Sequence, residues 1–101
     1  MKYKIAICDD SDADRQYVLN MVENWAKSSG HVVHTDTFIS AESFLFHYAE
    51  ESNYDILLLD IKMSNMDGVT LAKKIRQSNE SVQIVFISGI ADYIGEGYEV
   101  V

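Results

Sequence analysis

At three places in this 101-residue chain an acidic or hydroxyl side chain directly follows a run of apolar residues. Ile5-Ala6-Ile7-Cys8 leads into Asp9-Asp10, Ile56-Leu57-Leu58-Leu59 into Asp60, and Val82-Gln83-Ile84-Val85-Phe86-Ile87 into Ser88-Gly89. A strand that is apolar on both faces is buried on both faces, as in a parallel sheet covered by helices. Ligands of such sheets gather beyond the carboxyl ends of the strands, so three carboxylates and a hydroxyl would share one rim. Like charges about 4 Å apart repel by roughly 4 kcal/mol at an effective dielectric near 20, which calls for a cation to hold the carboxylates together. Mg²⁺ suits them: it takes oxygen ligands, keeps several waters and is bound by one or two carboxylates plus phosphate oxygens. Zinc suits them less. His31 and His34 would face opposite sides of a strand, and His47 stands alone on a helix. The plain alternatives are helix capping for Asp9 and Asp10 and a strand-end turn for Ser88.

The elements that must position these groups alternate in hydrophobic period. After the first run, Ser11-Asp12-Ala13-Asp14 offers capping side chains to a helix in which Tyr17, Val18, Met21, Val22 and Trp25 form one apolar stripe. Ser28-Ser29-Gly30 closes it, and His31 to Phe38 reads as a second strand. Ser40 caps a second helix carrying Phe44, Leu45, Tyr48 and Ala49 at helical spacing. Asp67-Gly68 opens a third helix with Val69, Leu71, Ala72 and Ile75 inward and Lys73, Lys74 and Arg76 outward. A last helical stretch from Ala91 to about Gly97 follows the fourth strand. The order βαβαβαβα predicts an α/β domain, a parallel sheet with helices on both faces and right-handed crossovers.

Composition narrows the function classes. The chain carries 16 acidic and 8 basic side chains, a net charge of −8, and no cluster of Lys and Arg that could hold a phosphate backbone. Direct contact with nucleic acid is therefore not expected of these residues. The apolar runs fall far short of the roughly 20 residues that span a bilayer, and the N-terminal run is cut by Asp9-Asp10, so neither a membrane span nor a secretory signal is expected. The one cysteine, Cys8, reads as a small core residue and fits a cytoplasmic protein.

Cys8-Asp9-Asp10, then Leu57 to Asp60 continuing through Ile61-Lys62-Met63-Ser64-Asn65-Met66-Asp67-Gly68, then Ile84 to Gly89, resemble the receiver domain of bacterial two-component response regulators. The likeness runs through the whole chain, 1–101, in order. It implies a flavodoxin-like, doubly wound sheet of strand order 2-1-3-4. It also implies that a histidine kinase donates a phosphoryl group to Asp60. Asp10 would bind Mg²⁺ (or Mn²⁺) directly, Asp9 mainly through water, and the Lys62 backbone carbonyl would add a ligand. Ser88 would be the switch hydroxyl, with the Gly89 backbone contacting the phosphoryl group. Glycine at position 68 would serve a turn whose backbone angles other residues avoid.

Two departures stand out. Position 64, where the family usually has proline, is Ser64, and the expected effect is a looser loop and little else. The family continues with a fifth strand, a lysine that pairs with the phosphoryl group and a fifth helix, none of which precedes Val101. The chain therefore reads as a C-terminally incomplete receiver, prone to self-association or element exchange and weak in stable phosphorylation, with Lys62 the nearest substitute cation. Residues 85–100 resemble receivers of the LytTR class, whose output domain binds DNA, so transcriptional control would belong to a longer parent. The expected function is a phosphoacceptor and regulator, an enzyme at most toward its own phosphorylation and dephosphorylation. The rivals are a receiver-like interaction or dimerisation module that takes no stable phosphate, and an Mg²⁺-dependent phosphohydrolase. The second is disfavoured because the position two after Asp60, where such enzymes need another aspartate, is Lys62.

Overall fold

The N-terminal apolar run extends as a strand, β1 (Lys2–Cys8), whose side chains alternate between two buried layers. Ile5 and Ile7 pack on one side with Val18, and Ala6 and Cys8 on the other with Phe44, Leu57, Leu59, Leu71 and Ile75. The structure, a computed structural model, describes residues 1–87. Along them follow α1 (Asp12–Ser29), β2 (Val32–Phe38), α2 (Ala41–Tyr48), β3 (Ile56–Asp60), α3 (Gly68–Arg76) and β4 (Gln83–Ile87). The sheet has the order β2-β1-β3-β4 with every pairing parallel, as the sequence pattern and the resemblance led one to expect. Ser88, Gly89, the helical stretch from Ala91 to Gly97 and anything later lie outside the described residues.

Each helix begins on a side chain that accepts from its first turn. Ser11 accepts from the Asp14 amide, Ser40 from Ser43 and Asp67 from Thr70. The α1 helix ends on Gly30, whose φ of 72° lies in the left-handed region open to glycine. The helix stripes are buried less evenly than their spacing implies. On α1, Val18 and Ala26 are buried, while Tyr17, Met21 and Trp25 are 55%, 51% and 43% exposed. These last two border an apolar trough with Ile5, Ile56, Leu58, Val85 and Ile87. On α3, Leu71, Ala72 and Ile75 are buried as expected, but Val69 is exposed beside Phe86 along a similar groove.

Far from the rim that concerns function, polar groups tie β1, β2 and the start of β3 together. The Lys4 ammonium donates to Asn53 at 2.9 Å, pairs with Glu51 at 3.1 Å and sits 4.8 Å from the centre of the Tyr54 ring. Tyr54 in turn donates its hydroxyl to Asp36 at 2.7 Å.

Gly68 does a different job from the one its sequence context suggests. Its φ is not positive; a Cβ there would stand 2.1 Å from the backbone oxygen of Asp60 and 2.8 Å from its carbonyl carbon. Glycine lets the first turn of α3 press against the end of β3, where the Gly68 amide donates to the Ile61 carbonyl at 3.0 Å. Gly30 has nothing within 4 Å of a built Cβ, so only its backbone angle penalises substitution. Gly30→Ala should therefore lower unfolding stability by about 1–2 kcal/mol. Gly68→Ala, which must move backbone, should reach the upper part of the roughly 1–3 kcal/mol range for overpacking or exceed it. Urea unfolding of both variants checks the ranking; a smaller loss for Gly68→Ala would contradict it.

Candidate functional site

Register brings the acidic groups together. Cys8 lies opposite Phe38 on one side and Leu59 on the other, so Asp9 and Asp60, the next residues, are neighbours at the carboxyl rim. The Asp9 amide donates to the Phe38 carbonyl at 3.0 Å, carrying the ladder one step past β1. Asp9 and Asp60 are 3% and 5% exposed, whereas Asp10 is exposed. One carboxylate oxygen from each of the three lies within 4.8 Å of the others. Ile87, the last residue of β4, stands opposite Asp60.

Each carboxylate is held differently. Asp9 accepts from the Ser11 amide at 2.9 Å, and its backbone carbonyl accepts from the Arg15 guanidinium at 2.9 Å. Asp10 accepts from Ser64 twice, from the amide at 3.1 Å and from the hydroxyl at 3.4 Å. Asp60 is stabilised by the Lys62 amide, yet its Oδ1 is buried with no hydrogen-bond partner. The N-termini of α1 and α3 both abut this rim, placing the positive ends of two helices beside it.

That support does not balance the electrostatics. Burial, then the charge of Asp9, pushes the Asp60 carboxyl up to about 7. Burial also raises Asp9, partly offset by the Ser11 amide. Two carboxyl groups this buried, at 3% and 5% exposure and sharing a side-chain hydrogen bond, carry the charge burden that a bound cation would relieve. All-oxygen donors, two buried and one exposed, fit a hard divalent ion that retains water on its open side. Thiolate chemistry is not available beside it: burial pushes the Cys8 thiol up to about 12, and its Sγ donates to the Ser40 carbonyl and touches the Met63 sulfur at 3.6 Å.

Asp9, Asp10 and Asp60, singled out in the sequence, are thus gathered at one place, with Lys62 two residues past Asp60. Ser88 and Gly89 lie outside the described residues. None of the three histidines belongs to this cluster. His31 precedes β2 and stacks on Trp25, with ring centres 5.0 Å apart; His34 meets Asp36 at 3.2 Å, and His47 meets Glu51 at 3.1 Å. Lys4 is engaged with Asn53 and Glu51, among the polar groups at the other end of the sheet. Sequence reasoning missed Arg15 and Ser64. The signal for Ser64 was present: a residue other than proline keeps a backbone N–H to donate.

The response regulator receiver domain family matches residues 5–100. Among curated relatives, the response regulator receiver protein CpdR of Brucella abortus (strain 2308) is 31% identical over 88 residues, covering 87% of this chain and 68% of that protein. The heme response regulator HssR of Staphylococcus epidermidis is 31% identical over 107 residues, covering 93% of this chain and 45% of that protein. The fold is shared with a chain in the complex of histidine kinase ThkA with response regulator protein TrrA, at a TM-score of 0.63, 24% identity, and 88% and 70% coverage of the two chains. A match running from Ile5 to Val100, through all four strands of the sheet and the three acidic positions on its rim, makes this chain a member of the response regulator receiver domain family.

Proposed function

We propose that the domain is a phosphoacceptor switch: Asp60 takes a phosphoryl group from a phosphohistidine of a histidine kinase. The observation that supports this most is the buried Asp60 Oδ1, unpartnered within a cluster of three carboxylates. An Asp60 carboxylate oxygen attacks phosphorus, the P–N bond of the donor breaks as the P–O bond forms, and the proton that the leaving imidazole needs comes from solvent. Asp10, Asp60 and the Lys62 carbonyl would hold Mg²⁺ or Mn²⁺, with Asp9 acting mainly through a bound water. When bound, the ion supplies charge neutralisation between carboxylate and phosphoryl oxygens.

The remaining steps belong to the chain. Arg15, anchored on the Asp9 carbonyl, fixes the first turn of α1 against the rim. Gly68 lets α3 seat its N-terminus against Asp60. Ser88, one residue beyond the position opposite Asp60, is the hydroxyl proposed to donate to the new phosphoryl group, with the Gly89 amide beside it. The phosphoryl group adds negative charge and strong acceptors at a rim shared by three loops, which is the means to bias a two-state surface. Receiver domains act as regulators; chemistry here is confined to the domain's own phosphorylation and dephosphorylation. A transcriptional output is part of the same proposal, in a cytoplasmic setting where the kinase partner acts. No helix among the described residues is long and apolar enough to cross a membrane.

Self-association is proposed as well, supported by the apolar trough bordered by Met21, Trp25 and Val85 and by the edge position of β4 among the described strands. Sedimentation should show mass rising with concentration; a monomer throughout would contradict it.

Two further outcomes are expected. In the metal-free protein, Asp60 holds its proton to about pH 7 when folded and to about 3.8 when unfolded, so between those values the folded state binds more protons and stability falls as pH rises. Asp60→Asn, which carries no charge, should be more stable than the parent by about 1–3 kcal/mol at pH 8 in a chelator, the gap closing toward pH 4. Denaturant melts across that range check it, and a less stable variant at pH 8 would contradict it. With Mg²⁺ and a small phosphodonor, the protein should gain one acid- and base-labile phosphoryl group, lost in Asp60→Asn. Mass spectrometry reads this directly: label persisting in the variant would refute the site, and no label on the parent would favour a receiver-like interaction module.

A further inference from the structure

The segment between β3 and α3 is pinned at intervals. The Ile61 amide donates to Ile87 at 3.0 Å, and Met63 and Met66 pack against the core formed by α2, α3 and the sheet. The Gly68 amide closes the segment onto the Ile61 carbonyl at 3.0 Å. Between the two methionines the backbone turns sharply, with Asn65 at φ 66°, a left-handed conformation that asparagine tolerates better than most residues. This turn leaves Ser64 exposed, and both its donors meet the same acceptor, Asp10 Oδ2, at 3.1 Å from the amide and 3.4 Å from the hydroxyl. Asp10 is 54 residues away in sequence, so the contact fastens the β1–α1 segment to the β3–α3 segment across the rim.

Asp10 needs such fastening. It is the exposed member of the three acidic groups, and the neighbouring Asp9 carboxylate repels it. An exposed side chain repelled by its neighbours swings into water unless something holds it. Both Ser64 bonds fall on a single carboxylate oxygen, Oδ2.

We propose that Ser64 is a positioning residue for the cation site: its two donors hold Asp10 beside Asp9 and Asp60, so the ligand set is assembled before the ion arrives. This rests on the reading of the three carboxylates as a divalent-cation site. The backbone N–H is the principal tether, being the shorter contact and fixed by a loop that the methionines immobilise. Such outer partners orient metal ligands, and their loss commonly weakens metal binding. Far from merely loosening a loop, the non-proline residue at 64 supplies a bond that proline has no N–H to make.

The test is Mg²⁺ affinity by titration calorimetry on the intact chain for the parent, Ser64→Thr, Ser64→Ala and Ser64→Pro, with metal-free melting temperatures beside each. Ser64→Thr, which keeps both donors, should bind like the parent. Ser64→Ala, which keeps the amide, should lose about twofold, and Ser64→Pro, which loses both, about tenfold. A merely structural role would lower melting temperature without ordering the affinities in this way. If Ser64→Pro does not fold, amide hydrogen exchange replaces it. The metal-free parent should protect the Ser64 N–H, Asp10→Asn should weaken that protection, and equal exchange rates in the two would overturn the proposal. Measurable Mg²⁺ binding by the parent with unchanged or tighter binding in a folded Ser64→Pro overturns the role of Ser64 and leaves the cation site standing. No Mg²⁺ binding by the parent overturns the cation site and this inference with it.

Discussion

Three carboxyl groups are kept within 4.8 Å of one another, two of them almost out of reach of water, and the rest of the domain is arranged around the cost of doing so. Parallel pairing of β1 with β3 makes the contact unavoidable, because Cys8 and Leu59 share a register position and Asp9 and Asp60 come next. The partial remedies are local. A serine amide serves Asp9, two donors of Ser64 serve Asp10, and two helix N-termini face the rim. None of them reaches Asp60 Oδ1, and burial together with the charge of Asp9 pushes the Asp60 carboxyl well above the usual carboxylate range. A site left short of positive charge in this way is poised for a cation and, through it, for a phosphoryl group.

The two faces of the sheet are finished to different degrees. Toward α2 and α3, Phe44, Leu57, Leu59 and Leu71 are fully buried, and that layer carries the aromatic contacts of Phe38, Phe44, Tyr48 and Tyr54. Toward α1 the buried cluster is smaller, Ile5, Ile7 and Val18, and an apolar trough stays open next to it. The rim draws on both layers, since Asp9 leads toward α1 and Asp60 toward α3. The close packing of Gly68 on Asp60 ties the site to the better-packed side.

Much of this was legible in the sequence because strand-end carboxylates and doubly apolar strands depend on local pattern. The order of elements, the caps at Ser11, Ser40 and Asp67, and the meeting of Asp9, Asp10 and Asp60 follow from period, capping chemistry and topology. What stayed hidden depends on distances between segments far apart in the chain. The reason for glycine at 68 is a carbonyl eight residues earlier, and not its own backbone angle. The partial exposure of Tyr17, Met21 and Trp25 depends on what packs over them from elsewhere in the chain, which an apolar stripe does not encode. Ser64 looked like a lost proline, and its bond to Asp10 emerges only once the two loops are seen side by side.

The most direct test of the account is Mn²⁺ titration followed by amide NMR, which locates a paramagnetic ion by the signals it broadens. A divalent-cation site at the rim gives saturable broadening centred on Asp9, Asp10, Asp60 and Lys62, reversed by excess Mg²⁺ and lost in Asp60→Asn. Broadening scattered over the acidic surface of a chain with a net charge of −8, insensitive to Mg²⁺ and to that substitution, would contradict it.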